Sequence, residues 1–363
     1  MENCQIQLSR SLFADKEREF LRMGDFRVNV FRFDTGVEAV RLSNSRGELV
    51  VLPFLGQIIW DATFDGVRLT MDSMFRAPRP VTSIVETYGC LNYHAGILRN
   101  GSPQDGDDHA LHGELPCAPM DRAWLELGVD SAGSFVRIVG EFEYARGFGA
   151  HYIAHPSVRL GENCTEFEIG LTARNLASIP MDVMYLCHLN FAFCEGARIH
   201  QPAPFTPGRT SVRTTVPPHV PPTPAFVALL DQLARDPGAM QTLEPVERFD
   251  PEQVFYIRNP DKCEDGLVHY LLQRKQGDGF SVAFDPEVFS HTVRWLMANG
   301  DQRVAGFALP ATCEPEGYSA EKRKGNVRRL GPGQTIDFRV KTGYVNRNEA
   351  AKLAARINNT QAI

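Results

Sequence analysis

The sequence predicts a mainly β chain of antiparallel strands with few short helices, on three observations. Apolar and polar residues alternate with period two through "FRVNVFRFDTGVEAVRLSN" and "GELVVLPFLGQIIWDATFDGVRLTMDS", the pattern of strands with one face in a core. Gly, Asp and Asn punctuate these runs at short intervals, as in a meander. Helical spacing is confined to two short stretches, and no repeat of roughly 20 to 50 residues marks a solenoid or propeller.

The elements follow in order. After the first meander, a polar interval, "RNGSPQDGDDHALHGELP" from 99 to 116, is too long for a simple turn and reads as a functional or disordered loop. Strands resume with "AWLELGVD", "SFVRIVGEFEYA", "HYIAHPSVRL" and "TEFEIGLTARN". "YLCHLNFAF" at 185 to 193 reads as one strand of roughly nine residues. Its alternation puts Val183, Tyr185, Cys187, Leu189, Phe191 and Phe193 on a core face, and Met184, Leu186, His188 and Asn190 on the other. Two polar side chains in register there suggest a groove floor. The Pro-rich stretch "QPAPFTPGRTSVRTTVPPHVPPTP" lacks too many ladder donors for a central strand, so it runs over the surface with His219. "AFVALLDQLARDP" places Phe226, Leu229, Leu230 and Leu233 at helical spacing. Strands return at "QVFYIRN", "LVHYLLQRK", "GFSVAFDP", "HTVRWLMA", "RVAGFALPAT" and "TIDFRVKTGYV", and a terminal helix is expected near 346–359.

A chain of 363 residues permits one or two domains. The net charge of −6, with no long basic stripe, argues against a nucleic-acid partner. No segment is apolar enough for a membrane span or a signal peptide, so a cytoplasmic protein is expected. Its eight cysteines are scattered without a CxxC pair and read as reduced thiols, three of them (Cys164, Cys187, Cys194) inside strands.

Three polar clusters stand out: "DDHALHGELP", "YLCHLNFAF" and "LPATCEPEGYSAEKRKGNVRRL". In order and content they resemble the aldose 1-epimerase, or galactose mutarotase-like, superfamily over most of the chain, closest to its divergent, functionally unassigned branch. "GQIIWDATFDGVRL" looks like that family's early hairpin, and "GFALPATCEPEGY" followed by "LGPGQTIDF" like its late strands. The resemblance implies a single twisted supersandwich domain over 1–363, no cofactor, and an isomerase that opens and recloses a sugar hemiacetal. His112 of "LHG" matches the histidine that binds the substrate ring, and His188 the general acid. The family's glutamate does not carry over, because Leu309 and Pro310 stand where it would follow the strand. Glu314 and Glu316 are the nearest candidates for the base. The chemistry needs two groups that exchange protons near neutrality, which histidine does unperturbed and a carboxylate does when burial raises its pKa.

Asn190 and His94 are candidates for the groove wall. His109, beside Asp107 and Asp108, reads as a solvated loop residue. His151 and His155 on a strand stand roughly 13 Å apart at ~3.3 Å per residue, too far to share a metal. Lys322, Arg323, Lys324, Arg328 and Arg329 crowd into eight residues beside the presumed base, so Lys322 and Arg323 are expected to favour an anionic sugar. Two other functions stay open: a non-catalytic carbohydrate-binding protein, motivated by the missing glutamate, and a metal-dependent sugar isomerase or lyase using His94, His112, His188 and Glu114. The sequence leaves the sugar and the oligomeric state open.

Overall fold

In the computed structural model, residues 4–216 and 220–360 are described; His219 lies outside them. Two large antiparallel sheets carry the chain. The first runs in the order Cys4–Gln7, Arg122–Asp130, Gly133–Ala145, His151–Gly161, Glu166–Asn175, Thr335–Val345, Gly279–Phe284, Val268–Gln273, Arg198–His200. The second runs Thr210–Val212, Gln253–Ile257, His291–Ala298, Gln302–Ala311, Leu186–Leu189, Asn92–Ala95, Ile59–Phe64, Gly47–Val51, Glu38–Ser43, Phe26–Arg32, Arg18–Met23. Both chain halves contribute to each sheet. The Leu186–Leu189 strand sits between the late strand Gln302–Ala311 and the early strand Asn92–Ala95.

The sheets bury one shared core. Val28, Val30, Leu42, Leu49, Ile59 and Phe64 from the second sheet meet Ile138, Val158, Phe167, Ile169 and Val282 from the first. Alternation decides which residues arrive there, because period-two strands turn every second side chain inward. Phe64 stacks on Phe167 at 6.0 Å, and Phe191 on Phe280 at 5.1 Å, so aromatic pairs tie the layers directly.

The second sheet is apolar on its outer face too. Tyr93, Leu186, Val254, Val293 and Leu309 form a separate cluster there with Ile84 and Cys117, which lie on segments that cover that face. A solvated outer face would be polar; this one has a roof.

Residues 185–193 are not a single strand. Pairing stops at Leu189 and resumes for Phe191–Ala192 against Val304–Ala305. At the break the Asn190 amide donates to Leu91 O at 2.6 Å, and its carbonyl accepts from the Met71 amide at 3.0 Å. The expected core face holds, since Val183, Tyr185, Cys187, Leu189, Phe191 and Phe193 all join the shared core.

Helices occupy Pro224–Arg235, Tyr318–Lys324 and Arg347–Thr360. The first is capped by the Thr223 hydroxyl accepting from the Phe226 amide and buries Phe226, Leu230 and Leu233. The last lies within a residue of its expected bounds. The short middle helix falls in a stretch read as loop, where Lys, Arg and Glu obscured a seven-residue turn closed by Gly325 in the left-handed region. No helix among the described residues is long and apolar enough to cross a membrane. All eight cysteines are free.

Phe191 is 1 % exposed and bonds the layers through Phe280 and Phe307. Phe191→Ala should lower unfolding stability by about 3–5 kcal/mol, read by urea denaturation. A loss below about 1 kcal/mol would show that the layers do not depend on this contact.

Candidate functional site

One face of four strands forms the floor of a cavity of about 560 Å³. Leu186 and His188, Val254, Val293, Trp295 and Met297, and Leu309 line it, each set two residues apart along its strand. Loops supply the walls: Met74, Phe75, Val85 and Tyr88 on one side, Ser102, Leu111, His112 and Pro315 on the other. Among the described residues, Arg213 and Glu252 are the charged ones in the lining.

His188 is the best-held group. Asn190 Nδ2 donates to Cys90 O at 3.1 Å, which turns Asn190 Oδ1 toward His188 Nδ1 at 2.9 Å. The proton therefore sits on Nδ1, and the bare Nε2 accepts from the Tyr88 hydroxyl at 3.1 Å. The Tyr93 hydroxyl donates in turn to Tyr88 Oη at 3.0 Å, and its ring stacks on the imidazole at 4.5 Å between centroids. Burial, then the neighbouring His112, hold the imidazolium well below its ordinary pKa, against a smaller opposite pull from Asn190.

His112 reaches the same place from the long loop. It adopts φ 63°, its amide donates to Gly101 O, and its carbonyl accepts from the Gly96 amide, so the backbone is pinned on both sides. Its Nδ1 donates to Asn100 Oδ1 at 3.3 Å, and its ring meets His188 edge-on at 5.1 Å. Burial pushes its pKa down to about 4.

Sequence reasoning missed the carboxylate. Glu252 precedes the strand Gln253–Ile257 and shares the face of Val254 and Tyr256. Arg213 donates to its Oε1 at 3.1 Å, and the Trp295 indole donates to Oε2 at 2.5 Å. The same indole lies edge-on to His188 at 5.7 Å. One ring thus joins the carboxylate to the imidazole. The signal was present in "DPEQVFYI": a carboxylate two residues ahead of an apolar strand position looks onto whatever that position faces.

The structure does not bring the other expected residues here. Glu314 accepts from Arg258 at 2.5 Å and from Lys324 at 2.7 Å, and Glu316 from Tyr256 at 2.7 Å and Lys324 at 2.9 Å. Neither lines the cavity; Pro315 between them does. His94 pairs across from Cys187, one residue out of phase with His188. It therefore faces the shared core, where it bonds Tyr185 at 2.8 Å and burial lowers its pKa to about 3. Asn190 is fully buried and orients His188 rather than lining the groove. Lys322 bonds the Tyr318 hydroxyl at 2.9 Å and lies over that ring, away from the lining, as does Arg323. Glu114 accepts from the Ile97 and Leu98 amides and the Tyr152 hydroxyl, so it closes a loop. With His94 and Glu114 elsewhere, the metal set of His94, His112, His188 and Glu114 does not assemble. The His109 side chain is 4 % exposed and packs against Asp107 and the Tyr318 amide, so it is not solvated. His151 and His155 bond Glu143 and Glu141 separately.

Among the described residues, the carboxylates close enough for a cation are Glu314, Glu316 and Glu321. Lys324 Nζ bonds all three within 2.9 Å. An ammonium fills the place a metal would take.

Residues 34–216 match the family described as a domain of unknown function, DUF4432. The chain belongs to this family. No curated protein matches it. Among solved structures, a protein from Klebsiella pneumoniae named a "putative aldose 1-epimerase" is similar with a TM-score of 0.79 at 20% identity, over 99% of this chain and 92% of that one. A galactose mutarotase-like protein from Clostridium acetobutylicum is similar with a TM-score of 0.59 at 12% identity, over 89% and 100%. The likeness extends to a galactose mutarotase related enzyme from Lactobacillus acidophilus, with a TM-score of 0.54 at 12% identity, over 85% and 98%. The fold of this DUF4432 protein is the galactose mutarotase-like one that the sequence resemblance implied.

Two substitutions test the site's construction. Asn190→Ala should strip His188 of its fixed tautomer and leave buried polar groups unmatched, costing about 1–3 kcal/mol. Ring ¹⁵N shifts of His188 unchanged from wild type would sink this. Lys324→Met should remove the counter-charge from three crowded carboxylates and raise the pKa of Glu316 and Glu321 in the folded state. A raised carboxylate pKa destabilises above that pKa, so the deficit, about 1–3 kcal/mol with its partial exposure allowed for, should be largest near pH 8 and shrink toward pH 4.5. A deficit independent of pH would show a packing effect instead.

Proposed function

We propose that the cavity opens and recloses the hemiacetal ring of a reducing sugar, an aldose 1-epimerase type of reaction, with Glu252 and His188 as the proton-transfer pair. The observation that carries this reading is the Trp295 indole, which donates to Glu252 and borders His188, so that a carboxylate and an imidazole face one enclosed space. The fold supports sugar binding, and the name of the Klebsiella pneumoniae protein supports the reaction class.

Glu252, held by the guanidinium of Arg213 and the indole N–H of Trp295, takes the proton from the anomeric hydroxyl. His188, in its imidazolium form, delivers one from Nε2 to the ring oxygen. The C1–O5 bond breaks, C1 becomes an aldehyde, and rotation about C1–C2 exposes its other face. Reversed transfers then close the ring with inverted anomeric configuration. His112 borders the same space and orients the ring. Tyr88, hydrogen-bonded to His188 Nε2, yields its place when the sugar oxygen arrives. The pair must carry one transferable proton between its two members, and each member is worth typically ~10² to 10⁴ in rate.

A second reading is a carbohydrate-binding protein without catalysis. It is favoured by Leu309 and Pro310 standing where the family's glutamate is expected and by the burial that keeps His188 neutral.

Anomeric exchange of D-galactose and D-glucose, followed by NMR, decides between them. Glu252→Gln and His188→Ala should each lower kcat/KM by about 10² to 10⁴, while Glu314→Gln should change it far less. Because burial lowers the pKa of His188, its proton-bearing form is the minority at neutral pH. Hence kcat/KM should climb as pH falls from 8 toward 5, and the climb should vanish in His188→Ala. Binding without exchange in the wild type would favour the second reading.

A further inference from the structure

A second cavity, of about 420 Å³, shares no lining residue with the first. It opens at the tip of the hairpin that joins Gly133–Ala145 to His151–Gly161, where Arg146 and Phe148 form part of its wall. The turn carrying Ala177 and Ile179 forms another, tied to the hairpin by the Ala177 amide donating to His151 O at 3.0 Å. Asp182 and Arg329, which pair across the short ladder of Met181–Val183 with Arg328–Leu330, close it together with Leu98 and Arg99.

Three guanidinium groups and one carboxylate line this space, in a chain whose net charge is −6. Asp182 is spoken for on both oxygens: Oδ1 accepts from Arg329 and Oδ2 from the Tyr318 hydroxyl at 2.6 Å. Its single charge answers Arg329 and leaves the other two cations over. Arg99 lies flat on the Tyr318 ring, 3.7 Å from its centroid, and its Nη1 donates to Leu98 O at 2.9 Å. Its Nε is buried without a hydrogen-bond partner. Asp108 stands 3.6 Å from that nitrogen, beyond hydrogen-bond reach, and its side chain is 68 % exposed, so the pair contributes little. Among the described residues the Arg146 guanidinium has neither an ion pair nor a hydrogen bond. Guanidinium groups left over in a pocket are forks of N–H donors that fit an oxyanion.

The wall is also apolar, and openly so. Phe148 is fully exposed at φ 59°, and Ile179 is 57 % exposed. Left-handed backbone disfavours a bulky side chain, so the tip holds this ring in water against its local preference. Such a residue at the mouth of a cleft points to a contact made on its exposed face.

We propose that this pocket binds a phosphate monoester carrying a flat apolar ring, with the phosphate met by Arg99 and Arg146 and the ring laid on Phe148 and Ile179. The charge decides for phosphate: two unanswered guanidinium groups match a group that carries close to two negative charges at neutral pH better than they match a single carboxylate. A space of this volume is ample for a ring and its phosphate. The site draws on no residue of the ring-opening reading and is tested apart from it.

The probes are phenyl phosphate, inorganic phosphate, benzoate and benzyl alcohol, with binding followed by calorimetry at neutral pH. Phenyl phosphate should bind about tenfold tighter than inorganic phosphate, the gain from covering one ring, and tighter than benzoate. Benzyl alcohol should not bind detectably, and added salt should weaken phenyl phosphate. Arg146→Gln should lower its affinity by about tenfold or more. Phe148→Asn, whose new side chain tolerates that φ, should bring phenyl phosphate down to the level of inorganic phosphate. Both positions are exposed, so neither change disturbs the core. No binding of phenyl phosphate, no advantage over inorganic phosphate or benzoate, or indifference to salt would overturn the proposal. So would binding that survives in the Arg146→Gln/Phe148→Asn double variant, since the ligand would then sit elsewhere, the first cavity included.

Discussion

The bond from His188 Nδ1 to Asn190 Oδ1 governs the site, and a fault in the sheet makes it possible. In an unbroken strand Asn190 would give its main chain to the ladder and its side chain to the outer face. Here the ladder stops before it, its main chain bonds Leu91 and Met71, and its side chain is left to bridge Cys90 and the imidazole. The early meander and the mid-chain strand are thereby stitched at one residue. The imidazole acquires a defined tautomer from the same contact. An imidazole free to rotate would present either nitrogen to the cavity, and half the population would offer the wrong one.

The second sheet carries the constraint outward. Its outer face is apolar, so it must be covered, and the segments that cover it create the cavity rather than fill it. The long loop is anchored by close backbone approach: a Cβ on Gly101 would lie 2.2 Å from Pro315 C, and one on Gly317 2.4 Å from Ser102 O, both at positive φ. Only glycine allows the loop and the strand end to meet this closely. The contact places His112 over His188 and puts Pro315 in the wall. Glu314 and Glu316, on either side of that proline, are turned away into the Lys324 cluster.

Much of this was legible in the sequence, and the failures share a cause. Alternation reads faces, so the core half of residues 183–193 and the positions of His188 and both long helices came out correctly. It does not read register between strands. His94, which precedes the long loop, was expected at the groove wall, yet pairing with Cys187 turns it to the core. The resemblance located histidines by motif and then sought a carboxylate nearby in sequence, at Glu314 and Glu316. The carboxylate in the cavity comes instead from Glu252, just ahead of a strand three ladders from that of His188 in the sheet, a neighbourhood that only the assembled order creates. The basic run misled for a different reason. Lys324 spends its charge on three carboxylates, one of them Glu321, whose burial raises its pKa against the pull of Lys324, and Lys322 and Arg329 face Tyr318 and Asp182.

That internal neutralisation bears on how the protein would choose among sugars. A cleft selects by charge only if it holds a charge its own residues have not matched, and among the described lining residues Arg213 and Glu252 match each other. What remains to discriminate is shape, apolar area and hydrogen bonding to Ser102, His112, His188, Asn299 and Gln302, which act without long-range attraction and are insensitive to salt. Such a site discriminates modestly per group: a methylene more or less is worth about 1–3 kcal/mol. Selectivity then has to accumulate along the length of the cavity, from His188 at one end to Glu252, Asn299 and Gln302 at the other. A sugar that engages only one end would be bound weakly.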